Sequence, residues 1–364
     1  MSNPQPPRAW PGSDPEPVLT DPDVIIPNLH WRYSGVTATN RMIAPRIARL
    51  LPAVWFGSDR PDGISRLTLG GLLRLLRRAK PLVWHARRNN EMMAGLLLRA
   101  LGWPLKLVFT SAAQRHHTWT TRALLRRMDA VIATSDASAS YLTVPHTVIM
   151  HGIDTERYAP PPDRAAAFAA AGLPGRHAIG CFGRVRAQKG TDVFVEAMCR
   201  LLPAYPDFCA VIIGEVTPDQ RGFASKLRER VDAAGLSDRI RFLGELPIDE
   251  VPLWYRRILI YTFTSRNEGF GLTLLEAMAA GNALVAARAG AAEKVVREGE
   301  TGMLVPTGDA AALAAALEPL MRDPEKAAAL GRRAREIVIA EFGVEAEAAK
   351  IADVYRRVLG STTT

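Results

Sequence analysis

Short runs of β-branched and apolar residues alternate along this chain with longer stretches in which apolar residues recur every three or four positions. Strands buried on both faces read as continuous apolar runs, and crossover helices carry one apolar face, so the alternation predicts parallel α/β sheets. In the first half the strand-like runs fall at 24–26, 54–56, 82–84, 105–109, 130–134 and 147–150. In the second half they fall at 178–182, 210–213, 240–243, 258–262, 283–286 and 303–305. Helical periodicity fills the gaps, for example over 71–79 and 91–101. Six strands in each half predict two Rossmann-like units. The run Tyr-Ala-Pro-Pro-Pro-Asp at 158–163 has the composition of a link between domains. The expected organisation is therefore a Pro-rich disordered tail over 1–22, an N-terminal domain over 23–163, a second domain over 164–344 and a closing helix over 345–360.

Composition changes this picture little. At 364 residues the chain suits two domains with separate cores, and its 48% hydrophobic and 23% charged residues are those of a soluble globular protein. No apolar run approaches the roughly 20 residues that span a bilayer, and no signal-peptide core is present, so a cytoplasmic location is expected. Cys181, Cys199 and Cys209 lack metal-ligand spacing and sit in strand-like or helical runs, which predicts buried, reduced thiols and no metal site. Charge is more telling. Residues 1–165 carry 21 Lys/Arg against 12 Asp/Glu, whereas the remaining 199 residues are balanced at 25 of each. A basic half-molecule points to an anionic partner: nucleic acid, an acidic membrane face or an acidic substrate.

Candidate chemistry gathers after two strands of the second half. Gly183-Arg184-Val-Arg-Ala-Gln-Lys189-Gly190 follows the run at 178–182, and its two outer cations can converge on one pyrophosphate. It is not a G-x-x-x-x-G-K-[ST] phosphate loop, because the glycine spacing is wrong. Glu268-Gly269-Phe270-Gly271-Leu272-Thr-Leu-Leu-Glu276 follows the run at 258–262. Its glycines let bare backbone N–H groups approach a ligand at a helix start, where the dipole favours an anion. Glu276 is placed for hydroxyls instead. Each element has a plainer reading: the cations as solvated loop residues, Glu268 as a loop carboxylate, and Thr273-x-x-Glu276 as a capping box. Both loops leave strand carboxyl ends, where ligands bind in open parallel sheets.

The combined pattern G-R-x(4)-K-G, then E-G-F-G-L-x(3)-E-A-M-A-x-G, then Gly290 and the segment 299–306, resembles the retaining nucleotide-sugar glycosyltransferases of family 4 over residues 177–345. The resemblance implies the GT-B fold, with two Rossmann-like domains whose parallel sheets face a central cleft that closes about the link at 160–162. It implies that Arg184 and Lys189 bind the donor diphosphate and neutralise the leaving nucleotide. Glu276 would hold the ribose hydroxyls and Glu268 the transferred sugar. Gly183, Gly269, Phe270, Gly271 and Leu272 would line the donor site, and Gly214 and Leu246 would lie near the base. No cofactor is required beyond the nucleotide sugar, and transfer proceeds on one face of the sugar; a covalent intermediate on Glu268 is the alternative.

Residues 110–122 together with 126–135 resemble a narrower group, the mannosyltransferases that build the lipopolysaccharide inner core. These use GDP-mannose and an acceptor Kdo sugar on a lipid A precursor. The expected reaction is thus transfer of mannose to an anionic lipid-linked acceptor at the cytoplasmic face of the inner membrane. UDP-sugar-dependent transfer to another glycolipid or polysaccharide is one alternative, and a catalytically silent nucleotide-sugar-binding homologue is another. His30, Ser34, Gly35, Arg87, Arg88, Ser111, Arg115 and His116 are the acceptor-side candidates, the arginine forks being suited to carboxylate or phosphate. Ser111 stands where many relatives carry a histidine. Leu69, Leu72, Leu73 and Leu76 form a helical stripe among Arg66, Arg74, Arg77, Arg78 and Lys80. This is either a basic amphipathic helix for a membrane face or a crossover helix packed on its sheet. Nucleic-acid binding is disfavoured, since aromatic residues are only 7% and no recognition motif appears.

Overall fold

The structure is a computed structural model that describes residues 21–30, 35–113 and 115–360. Its first sheet contains β1 (Val24–Asn28), β2 (Ala53–Gly57), β3 (Ser65–Arg66), β4 (Leu82–Ala86), β5 (Leu105–Ser111), β6 (Ala130–Ala133) and β7 (Thr147–Val148). The order is β3-β2-β1-β4-β5-β6-β7. The second sheet contains β8 (His177–Phe182), β9 (Phe208–Ile213), β10 (Ile240–Gly244), β11 (Ile260–Phe263), β12 (Ala283–Ala287) and β13 (Gly302–Val305), ordered β10-β9-β8-β11-β12-β13. In the first sheet β3-β2, β2-β1, β1-β4, β4-β5 and β6-β7 pair parallel, as do all neighbours in the second. Every apolar run singled out in the sequence forms a strand; β3, two residues long and half polar, is the addition.

The chain groups into two compact units. Of the described residues, one holds 21–30, 35–109, 127–130 and 352–360; the other holds 110–113, 115–126 and 131–351. In the second, β8, β9, β11 and β12 are buried nearly throughout, and the helices Thr191–Leu201 and Ala310–Arg322 supply Val193, Phe194, Ala197, Leu313, Leu317 and Leu320 to the core. In the first, Trp55, Trp84, Ile25 and Ile47 are fully buried. There the hydroxyl of Tyr355, from the closing helix Val344–Leu359, lies 2.5 Å from His85 Nδ1. Cys181 and Cys209 are buried and Cys199 is half-buried, all three as free thiols; burial pushes Cys181 up to about 11 and Cys209 to about 12.

The periodic stretch at 71–79 differs from expectation. The helix runs Leu69–Arg74, continues as one tighter turn over Leu75–Arg77 and then stops. Two glycines in its first turn weaken it, and only Leu72 and Leu75 face inward.

Candidate active site

Four loops leave the carboxyl ends of the adjacent strands β10, β9, β8 and β11, and they and the helix start that follows the last of them carry the donor-side candidates. The loop after β8 begins at Gly183, whose φ is +141°, and ends at Gly190, whose φ is +68°. A Cβ on Gly190 would sit 1.9 Å from the Thr264 carbonyl oxygen, so only glycine lets the two loops meet. Thr264 Oγ1 donates to the Lys189 carbonyl at 2.9 Å, and the Arg266 N–H donates to the Gln188 carbonyl at 2.8 Å. The Arg266 guanidinium grips Asp192, in the first turn of the next helix, with two bonds of 2.8 and 2.7 Å. This fork fixes one loop against the other.

Lys189 and Glu268 meet in that setting. The lysine Nζ pairs with Glu268 Oε2, and both side chains keep a partial exposure. Glu268 Oε1 also accepts from the Gly269 N–H at 3.2 Å. Arg184, half exposed, reaches Glu215 through Nε at 3.0 Å. Beside it, the Val185 N–H donates to the Glu215 carbonyl. Gly214 follows β9 with φ +152°, and its N–H donates to the Gly244 carbonyl. Leu246, after β10, is half-buried.

The turn Gly269–Gly271 opens the helix Leu272–Ala279. Gly271 takes the left-handed conformation, with φ +99°, and caps the helix by its backbone alone. Thr273 is then the second helical residue, and the capping box with Glu276 does not form. Instead Glu276 Oε1 accepts from Tyr158 at 3.0 Å and Oε2 from Tyr255 at 2.7 Å. Burial raises the Glu276 carboxyl above its usual range, and the two phenols oppose that rise. Phe270 is buried, edge-on to His151 with ring centroids 5.0 Å apart, and its carbonyl accepts from the Ala291 N–H. A Cβ on Gly290 would come within 2.4 Å of that carbonyl, and one on Gly269 within 2.5 Å of the Ala112 carbonyl. Ser111 stands beside Ala112, at the end of β5; its hydroxyl is buried with no hydrogen-bond partner among the described residues.

The other acceptor-side candidates are placed as follows. His30 follows β1, and its carbonyl accepts from Ser58 at 3.3 Å. Gly35 opens the helix Gly35–Leu50 and is exposed, while Ser34 lies outside the described residues. Arg87 is buried at the end of β4. The Arg88 guanidinium is engaged by Asn28, Glu91 and Thr37 at 3.2, 3.3 and 2.8 Å. Fully buried Glu91 also accepts from the Arg87 and Arg88 backbone N–H groups, so this arginine corner is held as a unit. Arg115 and His116 are exposed, the latter edge-on to Tyr141. Sequence reading missed Tyr158, Tyr255, Arg266 and Asp192. Their partners lie 21 to 118 residues away, and no local pattern announces them.

A family model of the group 1 glycosyl transferases matches residues 163–337. The chain is 51% identical over 349 residues to the lipopolysaccharide core biosynthesis mannosyltransferase LpcC of Rhizobium leguminosarum bv. viciae, covering 94% of this chain and 99% of LpcC. It is 44% identical to LpsB of Rhizobium meliloti, of the same description, with the same coverage. Among solved structures, Anabaena Alr3699/HepE in complex with UDP and glucose aligns with a TM-score of 0.76 and 20% identity, over 92% of this chain and 99% of that one. That likeness speaks for the fold alone, which is GT-B. With near-complete coverage of LpcC and LpsB and a matching family model over the donor-side loops, the chain is a glycosyltransferase and belongs to the group 1 family that includes these lipopolysaccharide core mannosyltransferases.

Proposed function

We propose that the enzyme transfers mannose from GDP-mannose, with retention of configuration, to an anionic lipid-linked sugar such as Kdo of the lipopolysaccharide inner core. The observation that carries the reading is the meeting of Lys189 and Glu268 at the ends of adjacent strands, with Arg184 one loop turn away. A cleaving diphosphate needs counter-charge and the departing sugar needs hydroxyl acceptors; this pair of loops offers both. In the reaction the bond from the anomeric carbon to phosphate oxygen breaks. The acceptor oxygen bonds the same face, and its proton passes to the leaving phosphate oxygen. Arg184 and Lys189 hold the charge that develops there. Glu276, fixed by its two tyrosines, would take the ribose hydroxyls, and the buried Ser111 hydroxyl would face the sugar. The choice of mannose and of a lipopolysaccharide acceptor rests on the likeness to LpcC and LpsB. The basic N-terminal half agrees with an anionic acceptor at an anionic membrane face.

The test is nucleotide release from a panel of donors, with and without a Kdo-bearing acceptor. GDP-mannose should respond and UDP-glucose should not; the reverse would replace the donor and keep the reaction class. Arg184→Ala and Lys189→Ala should each lower kcat by about a hundredfold or more. Undiminished transfer by the double variant would refute the assignment of these two cations.

A further inference from the structure

The leucine stripe at 69–76 does not pack as a crossover face. Leu69, Leu73 and Leu76 are 66%, 55% and 40% exposed, while Leu72 and Leu75 take the inward positions. The helix Asn89–Ala100 repeats the arrangement. Its Met92 and Gly95 are buried, while Met93, Leu97 and Leu101, spaced four residues apart, are 55%, 62% and 60% exposed. The turn after the second helix meets the first segment: the Trp103 indole N–H donates to the Leu72 carbonyl at 2.9 Å, and a Cβ on Gly102 would lie 3.6 Å from Leu76 Cδ1. Six large apolar side chains therefore stand in water along two segments of one unit, 69–76 and 93–101. Scattered exposed leucines need no explanation, but two apolar rows that meet at Leu76 and Gly102 mark a binding surface.

Charge identifies the partner. Arg66, Arg74, Arg77 and Lys80 are exposed around the first helix and have no acidic partner among the described residues. From Gly63 to Lys106 the only carboxylate is that of Glu91, which is fully buried. A protein partner matched to this face would have to bring both an apolar ridge and an acidic rim. An anionic bilayer supplies both at once, with phosphates for the cations and acyl chains for the leucines. Among the described residues no helix is long and apolar enough to cross a membrane, so the contact is of the surface-lying kind.

We infer that the exposed apolar residues of 69–76 and 93–101 form one docking surface for an anionic lipid bilayer. The proposed lipid-borne acceptor supplies the purpose of this surface, but docking is measurable without any transfer. Co-sedimentation with vesicles of phosphatidylcholine alone, and of phosphatidylcholine with one-third phosphatidylglycerol, tests it on the full chain. Binding should favour the anionic vesicles and weaken with salt. Leu73→Glu/Leu97→Glu should lower partitioning by about tenfold or more, and Arg74→Glu/Arg77→Glu by a similar factor. The substituted side chains are exposed, so unfolding temperatures should match that of the parent, which separates lost docking from lost folding. Equal binding to both vesicle types, or undiminished binding by the leucine variant, would overturn the proposal. So would a dimer that the leucine variant converts to monomer, because a second copy would then be the occupant. Vesicle binding without nucleotide release from any donor would leave the docking surface standing and refute the transfer reading.

Discussion

Glu276 shows what a single residue owes to its partners. Its helix-start position suits a capping role, yet both carboxylate oxygens accept from phenols, and the cap is the left-handed Gly271. The sequence reveals the carboxylate and its setting; it hides the tyrosines, one of which is 118 residues away. The hydrogen bond from Tyr255 opposes the rise that burial imposes on the Glu276 carboxyl. Removing it should therefore move the acid limb of donor binding to higher pH. Tyr255→Phe is expected to raise the donor KM by about tenfold, the worth of one hydrogen bond to a charged group, while leaving kcat nearly unchanged. A pH profile of kcat/KM for parent and variant checks both points; an unmoved acid limb would detach Tyr255 from Glu276.

At the scale of elements, the strands were the most legible part of the chain because parallel strands buried on both faces need unbroken apolar runs. The helix over Leu69–Arg74 was less so: its periodicity identified an apolar stripe, but which positions face inward is decided by Trp103 and Leu75, outside that stripe. The loops after β8 and β11 owe their mutual placement to contacts that only the fold supplies, above all the Arg266–Asp192 fork and the close approach at Gly190. Gly190→Ala would set a methyl against the Thr264 carbonyl in a backbone region that L-residues avoid. A loss of about 2 kcal/mol or more is expected, which lowers the unfolding temperature by roughly 4–8 °C for a domain of this size. Calorimetry reads this directly, and an unchanged transition would mean that the loops separate freely.

For the molecule as a whole, charge is the property that the sequence displays and the fold sharpens. The excess of cations in the first half becomes a rim around exposed leucines. Inside the same half, burial and the buried Arg87 cation lower the pKa of His85 well below the usual value. Stability from keeping it neutral is fully present above the ordinary histidine pKa of about 6.5 and is lost as pH falls from there toward the depressed folded value. His85→Gln should accordingly flatten the fall in stability below about pH 6.5, as measured by denaturant unfolding at several pH values. An equally steep fall in the variant would assign the acid sensitivity elsewhere. At the proposed donor site, finally, the Lys189–Glu268 pair would make donor entry an exchange of partners. A diphosphate that takes the lysine strips Glu268 of its counter-ion and leaves a carboxylate beside an anion. A sugar nucleotide answers that carboxylate with hydroxyls; the spent nucleotide has none to offer there. The pair would thus work as a rejection device for product and speed the emptying of the site after each transfer. Glu268→Gln should tighten GDP relative to GDP-mannose in titration calorimetry, turning the free nucleotide into a stronger inhibitor of an enzyme that has lost its means of expelling it.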